Sequence, residues 1–270
     1  MRILLWLIIF LLILFILVFA AVFIRAWILL RKRPLLQLYQ ARKEEEDFCP
    51  LLSVPPLLLH FLLQIEDDEF FEHRGYTLPR IRDAIQINFQ SGRIRTGGST
   101  ISQQLMKNLY FQFHHSYFRK ATEFLLTLYA ERKLGKEKIL EFYINIVYYG
   151  NGIYGCTHAA RFYFCKKMED LTVNQMFMMA CMLYAPTVGN PIQHPDVFER
   201  IRDRRLHALT NRKIPGISEA DAALIRRFHA DCLDPELRAG DAFTDNYPRD
   251  VRLQNDRFGP YPEKNRVTIP

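Results

Sequence analysis

The sequence predicts an all-α protein that begins with one membrane-spanning helix. Three observations support this class. Residues 3–24 carry no charged or polar side chain, several later segments place apolar residues at helical spacing, and strand-like alternation is scarce. The chain has 270 residues and a formal net charge of +7. The ~200 residues after the span are enough for one compact domain.

The apolar run predicts a retained membrane anchor over residues 1–33. It exceeds the ~20 residues that a helix needs to cross a bilayer core, and Arg31, Lys32 and Arg33 close it. A cleavable signal peptide is the alternative, but its apolar region usually spans only about 7–15 residues. The basic residues after the span would place the rest of the chain in the cytoplasm by the positive-inside rule, although long domains can translocate regardless of flanking charge.

The remaining elements follow from periodicity and from helix-breaking residues. Residues 34–48 are predicted as a charged linker, residues 49–232 as a folded domain and residues 233–270 as a C-terminal tail. Helices are predicted over residues 57–64, 77–89, 99–110, 117–133, 136–147, 171–184 and 218–230. The helix-breaking residues are Gly150, Gly152, Gly155, Pro186, Pro191 and Pro195. Residues 241–270 are polar and are expected to be extended or mobile.

The cysteines indicate neither a disulfide scaffold nor a zinc site. There are five, an odd number, and no pair has zinc-ligand spacing. Buried thiols are the favoured interpretation.

The first polar string, residues 66–75, suggests a general base. A carboxylate in water is a weak base because its pKa lies near ~4. Neighbouring acidic side chains and apolar packing by Phe70 and Phe71 would raise the pKa of Glu66 toward neutrality. A solvated acidic helix end is the alternative, and His73 and Gly75 alone shift the balance only slightly.

The second string, residues 97–108, suggests an anion site. A glycine loop that opens a helix presents backbone N–H groups, which favour an anion together with the helix dipole. Lys107 lies four residues after Gln103, on the same helix face, and supplies a point charge for phosphate. The other side chains that could bind hydroxyls or phosphate are Ser99, Thr100, Ser102, Gln103 and Gln104. An ordinary surface helix capped by Ser99 or Thr100 is the alternative.

Two later strings are weaker on their own. Lys120 and Glu123 are three residues apart and could form an ordinary surface pair. Glu141 and Asn145 share a helix face, and a buried contact that braces the core is weighed equally with catalysis.

Together, four strings resemble the peptidoglycan glycosyltransferases of family 51 in their membrane-anchored monofunctional form. The matching strings are residues 66–75, 97–108, 119–123 and 138–145, and the likeness covers about residues 57–232. The Ser-x-x-Lys, Ser-x-Asn and Lys-Thr-Gly set of a transpeptidase domain does not follow them. The resemblance implies an all-helical, lysozyme-like fold with a smaller membrane-associated jaw, and makes residues 49–232 the glycosyltransferase domain.

The resemblance also implies a reaction, the polymerisation of lipid II into β-1,4 glycan strands with inversion and release of undecaprenyl pyrophosphate. Glu66 would be the general base, Glu123 the second glutamate near the pyrophosphate, and Lys107 the neutralising cation. The substrate-binding residues that it implies are Asp67, Phe70, His73, Gly98, Ser99, Thr100, Gln103, Gln104, Asn108, His115, Arg119, Lys120 and Asn145. No cofactor is required, but a divalent cation, Mg²⁺ or Mn²⁺, could bind at Glu123.

His115 departs from the family pattern. Alignment on Lys107 and Glu123 places it where the family usually has an arginine. Histidine offers less charge at neutral pH and no bidentate fork. We therefore expect weaker or pH-dependent leaving-group stabilisation, or help from Arg119 or Lys120. Plain surface exposure of His115 is the alternative.

The implied partners are lipid II, the growing lipid-linked glycan strand, the membrane and other cell-wall synthesis proteins, but no nucleic acid. The implied location is the cytoplasmic membrane, with a single span and the catalytic domain on the extracytoplasmic, periplasmic side. Two other functions stay open: a lysozyme-like hydrolase or lytic transglycosylase that cleaves glycan, and an inactive membrane scaffold. A hydrolase needs a glutamic acid but no pyrophosphate site, so the second string and the anchor favour synthesis.

Overall fold

The structure, a computed structural model, describes residues 2–91, 98–111 and 116–211. Its helices in these ranges are α1 (Arg2–Lys32), α2 (Leu35–Lys43), α3 (Pro56–Glu66), α4 (Leu78–Ser91), α5 (Ile101–Tyr110), α6 (Tyr117–Lys133), α7 (Gly135–Ile146), α8 (Cys156–Phe164), α9 (Val173–Tyr184) and α10 (Pro195–Asn211). Short 3₁₀ helices cover Leu51–Ser53 and Met168–Asp170, and the strands are β1 (Tyr148–Gly150) and β2 (Ile153–Tyr154). The predicted all-α class is confirmed.

The described chain divides into two compact units. The first comprises residues up to 44 and residues 74–139, with α1, α2, α4, α5 and α6. The second comprises residues 45–73 and residues from 140 onward, with α3, the β-hairpin, α8, α9 and α10. Helix α7 begins in the first unit and ends in the second.

Helix α1 is long and apolar enough to cross a membrane, and no other helix in the described ranges is. The mean hydropathy of its most apolar window is 3.6, and its side chains are mostly exposed, as lipid-facing side chains are. Val22 and Ala26 are buried near its C-terminal end, where it packs against α6. The Nη1 atom of Arg33 then donates to the Leu109 carbonyl at 2.8 Å, and the Tyr110 hydroxyl donates to the Arg33 carbonyl at 2.8 Å. The end of the anchor is therefore tied to α5.

Six of the predicted helices are confirmed within the described residues. The helix over residues 117–133 begins and ends at the predicted residues, and those over 57–64, 77–89, 99–110, 136–147 and 171–184 match to within a few residues. Local periodicity is sufficient for α3, α5, α6, α7 and α9 because each has apolar side chains that packing buries. The Met-rich α9 is a core helix, as predicted, and packs mainly against α3.

The charged linker predicted over residues 34–48 contains a helix instead. Leu35 and Tyr39 lie four residues apart in α2 and are both buried. Arg42 is also buried, although its charge suggested an exposed segment. Tertiary packing, which local composition does not reveal, therefore orders this segment.

Pro195 begins a helix rather than ending regular structure. It is the first residue of α10, a position where the missing N–H of proline costs no helical hydrogen bond. The pattern after Pro195 carries enough apolar periodicity to have been recognised, since Phe198 and Leu209 are buried.

The glycines at 150 and 152 belong to a β-hairpin that the sequence analysis missed. Strands β1 and β2 pair antiparallel around Asn151 and Gly152, which have φ angles of 52° and 77°. The Asn-Gly pair is itself the strongest short-range hairpin signal in a sequence, because type I′ turns need a positive φ at both residues.

Several predictions lie outside the described residues. They concern the helix over residues 218–230, the tail over 241–270, Cys232 and His115. The glycine at 97 lies there as well, so the loop before α5 is described only from Gly98.

Candidate active site

Glu66 is the last residue of α3, and the packing of that helix fixes its position in the second unit. Four apolar side chains of α3 are buried, and the Phe61 ring meets Phe177 of α9 edge to face at 5.2 Å. The Oε1 atom of Glu66 is itself buried. Burial first, and then the charge of Glu66, raise the pKa of Tyr143 well above its usual value. The candidate base therefore lies beside a buried phenol.

The acidic neighbours of Glu66 differ from one another in their surroundings. Asp68, Glu69 and Glu72 are exposed, where water and salt screen their charges. Phe71 is 57% exposed, so the apolar packing beside Glu66 comes from Phe70, which is buried. The raised pKa expected for Glu66 stays a prediction.

Asp67 and His73 form a hydrogen-bonded pair directly after α3. The Nε2 atom of His73 lies 3.1 and 3.0 Å from the two carboxylate oxygens of Asp67. The side chain of Asp67 is 0% exposed and that of His73 is 7% exposed, and the buried Phe70 ring packs edge to face on the imidazole at 6.1 Å. These three side chains brace the turn that follows Glu66. Substrate contacts for them stay a prediction.

Thr100 caps α5 in the first unit, so the capping interpretation is confirmed for this residue. Its hydroxyl accepts from the Gln103 N–H at 3.2 Å and donates to the Gly75 carbonyl at 2.7 Å. The Gln103 side chain completes a capping box by accepting from the Thr100 N–H at 3.1 Å. Both side chains are buried. Gly98 and Ser99, which precede the cap, are part-exposed.

The backbone conformation and the close neighbours of Gly75 explain why a glycine is required beside this cap. Its φ is +95°, and a Cβ there would lie 2.8 Å from the Thr127 Cγ2 atom and 3.0 Å from the Glu131 Cγ atom. Only glycine combines this backbone conformation with such close packing on α6.

The remaining polar side chains of α5 lie toward its C-terminal half. Lys107 is exposed, while Gln104 and Asn108 are half-buried. Since Gln103 is buried in the capping box, the sugar-orienting role predicted for the two glutamines is better suited to Gln104. All of these substrate contacts stay predictions.

Glu123 is buried in α6 and paired with two cations of the same helix. Its Oε2 atom accepts from Arg119 at 2.6 Å and its Oε1 atom from Lys120 at 2.5 Å. Its side chain is 1% exposed, so the alternative of an ordinary surface pair is wrong. Lys120 also donates to the Ser99 hydroxyl at 2.9 Å. Glu123 therefore orients two cations and, through Lys120, the residue before the α5 cap.

The surroundings of Glu123 do not suit a divalent metal ion. Both of its carboxylate oxygens already accept from cationic groups, and two positive charges at this distance oppose a third. Mg²⁺ sites usually supply one or two carboxylates that are open to the ion. Within the described residues, no group of three or more His, Cys, Asp or Glu side chains could hold a metal ion.

Glu131 is a residue of this region that sequence reasoning missed. Its Oε1 atom accepts from the buried Ser102 hydroxyl at 2.5 Å and from Lys136 at 2.8 Å. Glu123, Thr127 and Glu131 are spaced four residues apart, so they form a polar stripe along one face of α6. That spacing was the signal available in the sequence.

Asn145 braces the second unit. Its Oδ1 atom accepts from the Cys49 N–H at 2.8 Å, and its Nδ2 atom donates to the Cys49 and Glu141 carbonyls, both at 2.8 Å. Glu141 accepts from the Leu51 N–H at 2.9 Å. The bracing interpretation therefore describes the contacts of this pair, and a substrate contact of Asn145 stays a prediction.

The residues predicted to act together fall into two groups. Glu66, Asp67 and His73 belong to the second unit, and Lys107 and Glu123 belong to the first. An anchored, helical protein with a half-buried carboxylate and a separate carboxylate-centred cation group has the features of a membrane-bound transglycosylase.

Comparison with known proteins supports that class. The family model described as Transglycosylase matches residues 32–211, which run from the end of α1 to the end of α10. The chain belongs to the transglycosylase family. The all-helical, lysozyme-like fold predicted from the sequence agrees with this membership.

The curated relatives include several penicillin-binding proteins. Penicillin-binding protein 4 of Bacillus subtilis is 34% identical over 215 residues, which cover 80% of this chain and 33% of that protein. Penicillin-binding protein 1F of Bacillus subtilis is 32% identical over 180 residues, which cover 67% of this chain and 25% of that protein. Penicillin-binding protein 1A of Pseudomonas aeruginosa is 41% identical over 143 residues, which cover 53% of this chain and 17% of that protein. The chain spans a third or less of the length of these relatives.

Proposed function

We propose that this protein is a peptidoglycan glycosyltransferase that polymerises lipid II into β-1,4 glycan strands. The observation that carries the proposal is the cation group on α5 and α6. Arg119 and Lys120 of α6 contact the Glu123 carboxylate, and Lys107 is an exposed cation of α5, which packs against α6. All of them lie inside the region matched by the transglycosylase family. A diphosphate leaving group requires such an excess of positive charge, whereas hydrolysis of a glycan does not.

Glu66 acts as the general base in this reaction. Its carboxylate takes the proton from the 4-hydroxyl of the acceptor N-acetylglucosamine, and that oxygen attacks the anomeric carbon of the donor N-acetylmuramic acid. The new C–O bond forms on the face opposite the bond to the diphosphate, so the anomeric configuration inverts. Undecaprenyl pyrophosphate departs with the bonding electron pair.

The cation group stabilises that departing charge. Lys107 is exposed and supplies a compact positive charge. Glu123 acts through Arg119 and Lys120, whose positions it fixes, so we assign it as a positioning residue. Because its two oxygens are already used, we expect no resident metal ion at Glu123.

We further propose that the protein crosses the cytoplasmic membrane once and that the part after α1 faces the extracytoplasmic side. The apolar helix and the family membership support membrane anchoring. Lipid II and the growing strand are the proposed partners, with other cell-wall synthesis proteins. The basic residues after the span oppose this orientation, but a long domain can translocate despite them.

Purified full-length protein with lipid II in detergent tests the proposal. We expect long glycan strands and released undecaprenyl pyrophosphate, and we expect Glu66→Gln to lower the rate by at least about 100-fold, as for loss of a general base. Glu72→Gln is the matched control, because it neutralises an exposed carboxylate of the same string. An unchanged rate in Glu66→Gln would remove that residue from its role. Shortening of pre-made glycan without polymer formation would favour the hydrolase instead, and no reaction with either substrate would favour the inactive scaffold.

A further inference from the structure

Arg25 is a cation within α1 that the proposed reaction does not yet use. The apolar run before it already exceeds the ~20 residues that cross a bilayer core of about 30 Å. We therefore place Arg25 at the edge of the hydrocarbon layer, six residues and about 9 Å along the helix axis before Arg31. Phosphate groups of membrane lipids occupy this level, and an ionisable residue in a spanning helix commonly marks a functional site.

Arg25 lies on the side of α1 that packs against α6. Its neighbours Val22 and Ala26 are buried, and its own side chain is half-buried. Its guanidinium carbon lies 5.6 Å from the centre of the Phe111 ring and 5.3 Å from that of Phe118. These cation–π contacts hold the guanidinium in place without neutralising its charge.

The Phe111 ring also contacts a cation of the candidate site. The guanidinium carbon of Arg119 lies 5.7 Å from the centre of the ring, so Arg25 and Arg119 share one aromatic neighbour. Glu123 accepts from Arg119 and Lys120, and no carboxylate contact of Arg25 is present within the described residues. The group of Arg25, Arg119, Lys120 and Glu123 therefore carries three positive charges and one negative charge.

We propose that Arg25 is a phosphate ligand contributed by the membrane helix, and that it binds the diphosphate of the lipid-linked donor beside Arg119 and Lys120. This inference rests on the proposed function and extends its donor site into the anchor. The anchor then takes part in substrate binding in addition to holding the protein at the membrane.

Binding of inorganic pyrophosphate to the full-length protein in phospholipid-free detergent tests the proposal without turnover. We expect Arg25→Gln to raise the dissociation constant about tenfold, as for loss of a charge-assisted hydrogen bond. Arg31→Gln is the matched control, because Arg31 belongs to the same helix but lies over the Trp27 ring, at 5.0 Å, and is exposed. It should bind pyrophosphate as the unchanged protein does. Equal loss in both variants, or no loss in either, would overturn the proposal.

Steady-state kinetics with lipid II separate a binding role from a structural one. Arg25→Gln should raise KM and weaken inhibition by pyrophosphate, whereas Arg31→Gln should change neither. If Arg25→Gln does not fold, Arg25→Lys keeps the charge without the bidentate fork and should show a smaller increase in KM.

Normal kinetics in detergent with weakened binding to phosphatidylglycerol vesicles would assign Arg25 to lipid headgroups and refute the proposal. If the unchanged protein does not turn over lipid II, the proposed function fails, while the pyrophosphate titration still decides the role of Arg25.

Discussion

At the scale of single residues, the structure distinguishes side chains that face outward from those that hold the site in place. Lys107 is exposed, whereas Asp67, Thr100 and Glu123 are buried with defined partners. The sequence strings that contain these residues are equally polar, so only burial in the structure distinguishes the exposed side chain from the buried ones. Substitution of a buried residue should therefore affect stability as well as activity.

Gly75 gives a direct test of close packing against α6. Gly75→Ala should lower the free energy of unfolding by ~1–2 kcal/mol from the positive φ and by a further ~1–3 kcal/mol from the overlap with Thr127. Gly135→Ala is the control, since Gly135 has a φ of +75° but no atom within 4 Å of the added Cβ. Gly135→Ala should therefore lose only the ~1–2 kcal/mol that the positive φ causes. Denaturant unfolding measures both variants, and equal losses would mean that α6 moves to accommodate the methyl group.

His60 on α3 predicts how stability depends on pH. Burial lowers the pKa of His60 below its usual value, and its Nε2 atom is buried without a hydrogen-bond partner in the described structure. The unfolded chain therefore binds the proton more tightly than the folded one. The contribution of neutral His60 to the free energy of unfolding is fully present above pH ~6.5. It is lost as the pH falls through the pKa of His60 in the folded protein. Melting temperatures of His60→Gln and the unchanged protein between pH 8 and 5 should converge at the acidic end, and parallel curves would contradict this.

At the scale of elements, the sequence was sufficient where a helix carries its own apolar face. Helices α3, α6 and α9 were predicted for that reason. Helix α2 was missed because its order comes from burial of Leu35 and Tyr39, which the charged composition of the segment does not reveal. The candidate site shows the same division. The strings that contain Glu66 and Lys107 could be recognised, but the buried pairing of Glu123 and the role of Glu131 depend on contacts between residues that local sequence does not specify.

The capping boxes at the starts of α5 and α9 allow a cap in the candidate site to be compared with a cap outside it. Thr100 caps α5 and Thr172 caps α9 with the same arrangement, but only Thr100 is fully buried and also donates to the Gly75 carbonyl. Thr172→Val should cost about 1 kcal/mol, and Thr100→Val should cost a further ~1–3 kcal/mol because it also removes the hydroxyl that donates to that carbonyl. Thermal unfolding measures both. Thr100→Ser should recover most of the loss, and a similar cost for the two valine variants would show that the bond to Gly75 adds nothing.

At the scale of the whole molecule, membrane attachment and the candidate chemistry are linked through α1. The family match begins at the last residue of this helix, and the helix continues into contacts with α5 and α6 through Arg33 and Arg25. The first unit is therefore fixed directly to the anchor. A protein built in this way can act on a substrate whose reactive group lies close to the lipid surface, which is where a lipid-linked diphosphate is found.

Cys165 allows the orientation of the chain to be measured. It is exposed at the end of α8, whereas Cys49, Cys156 and Cys181 are buried, and burial raises the pKa of the Cys181 thiol, which further slows its reaction. In a Cys232→Ser background, a membrane-impermeant maleimide should label intact cells through Cys165, because the proposed function places this unit outside the cytoplasmic membrane. Cys165→Ser should abolish the signal. Labelling that appears only after the cytoplasmic membrane is opened would place this unit in the cytoplasm, as the basic residues after α1 predict. It would then lie away from the proposed site of strand synthesis.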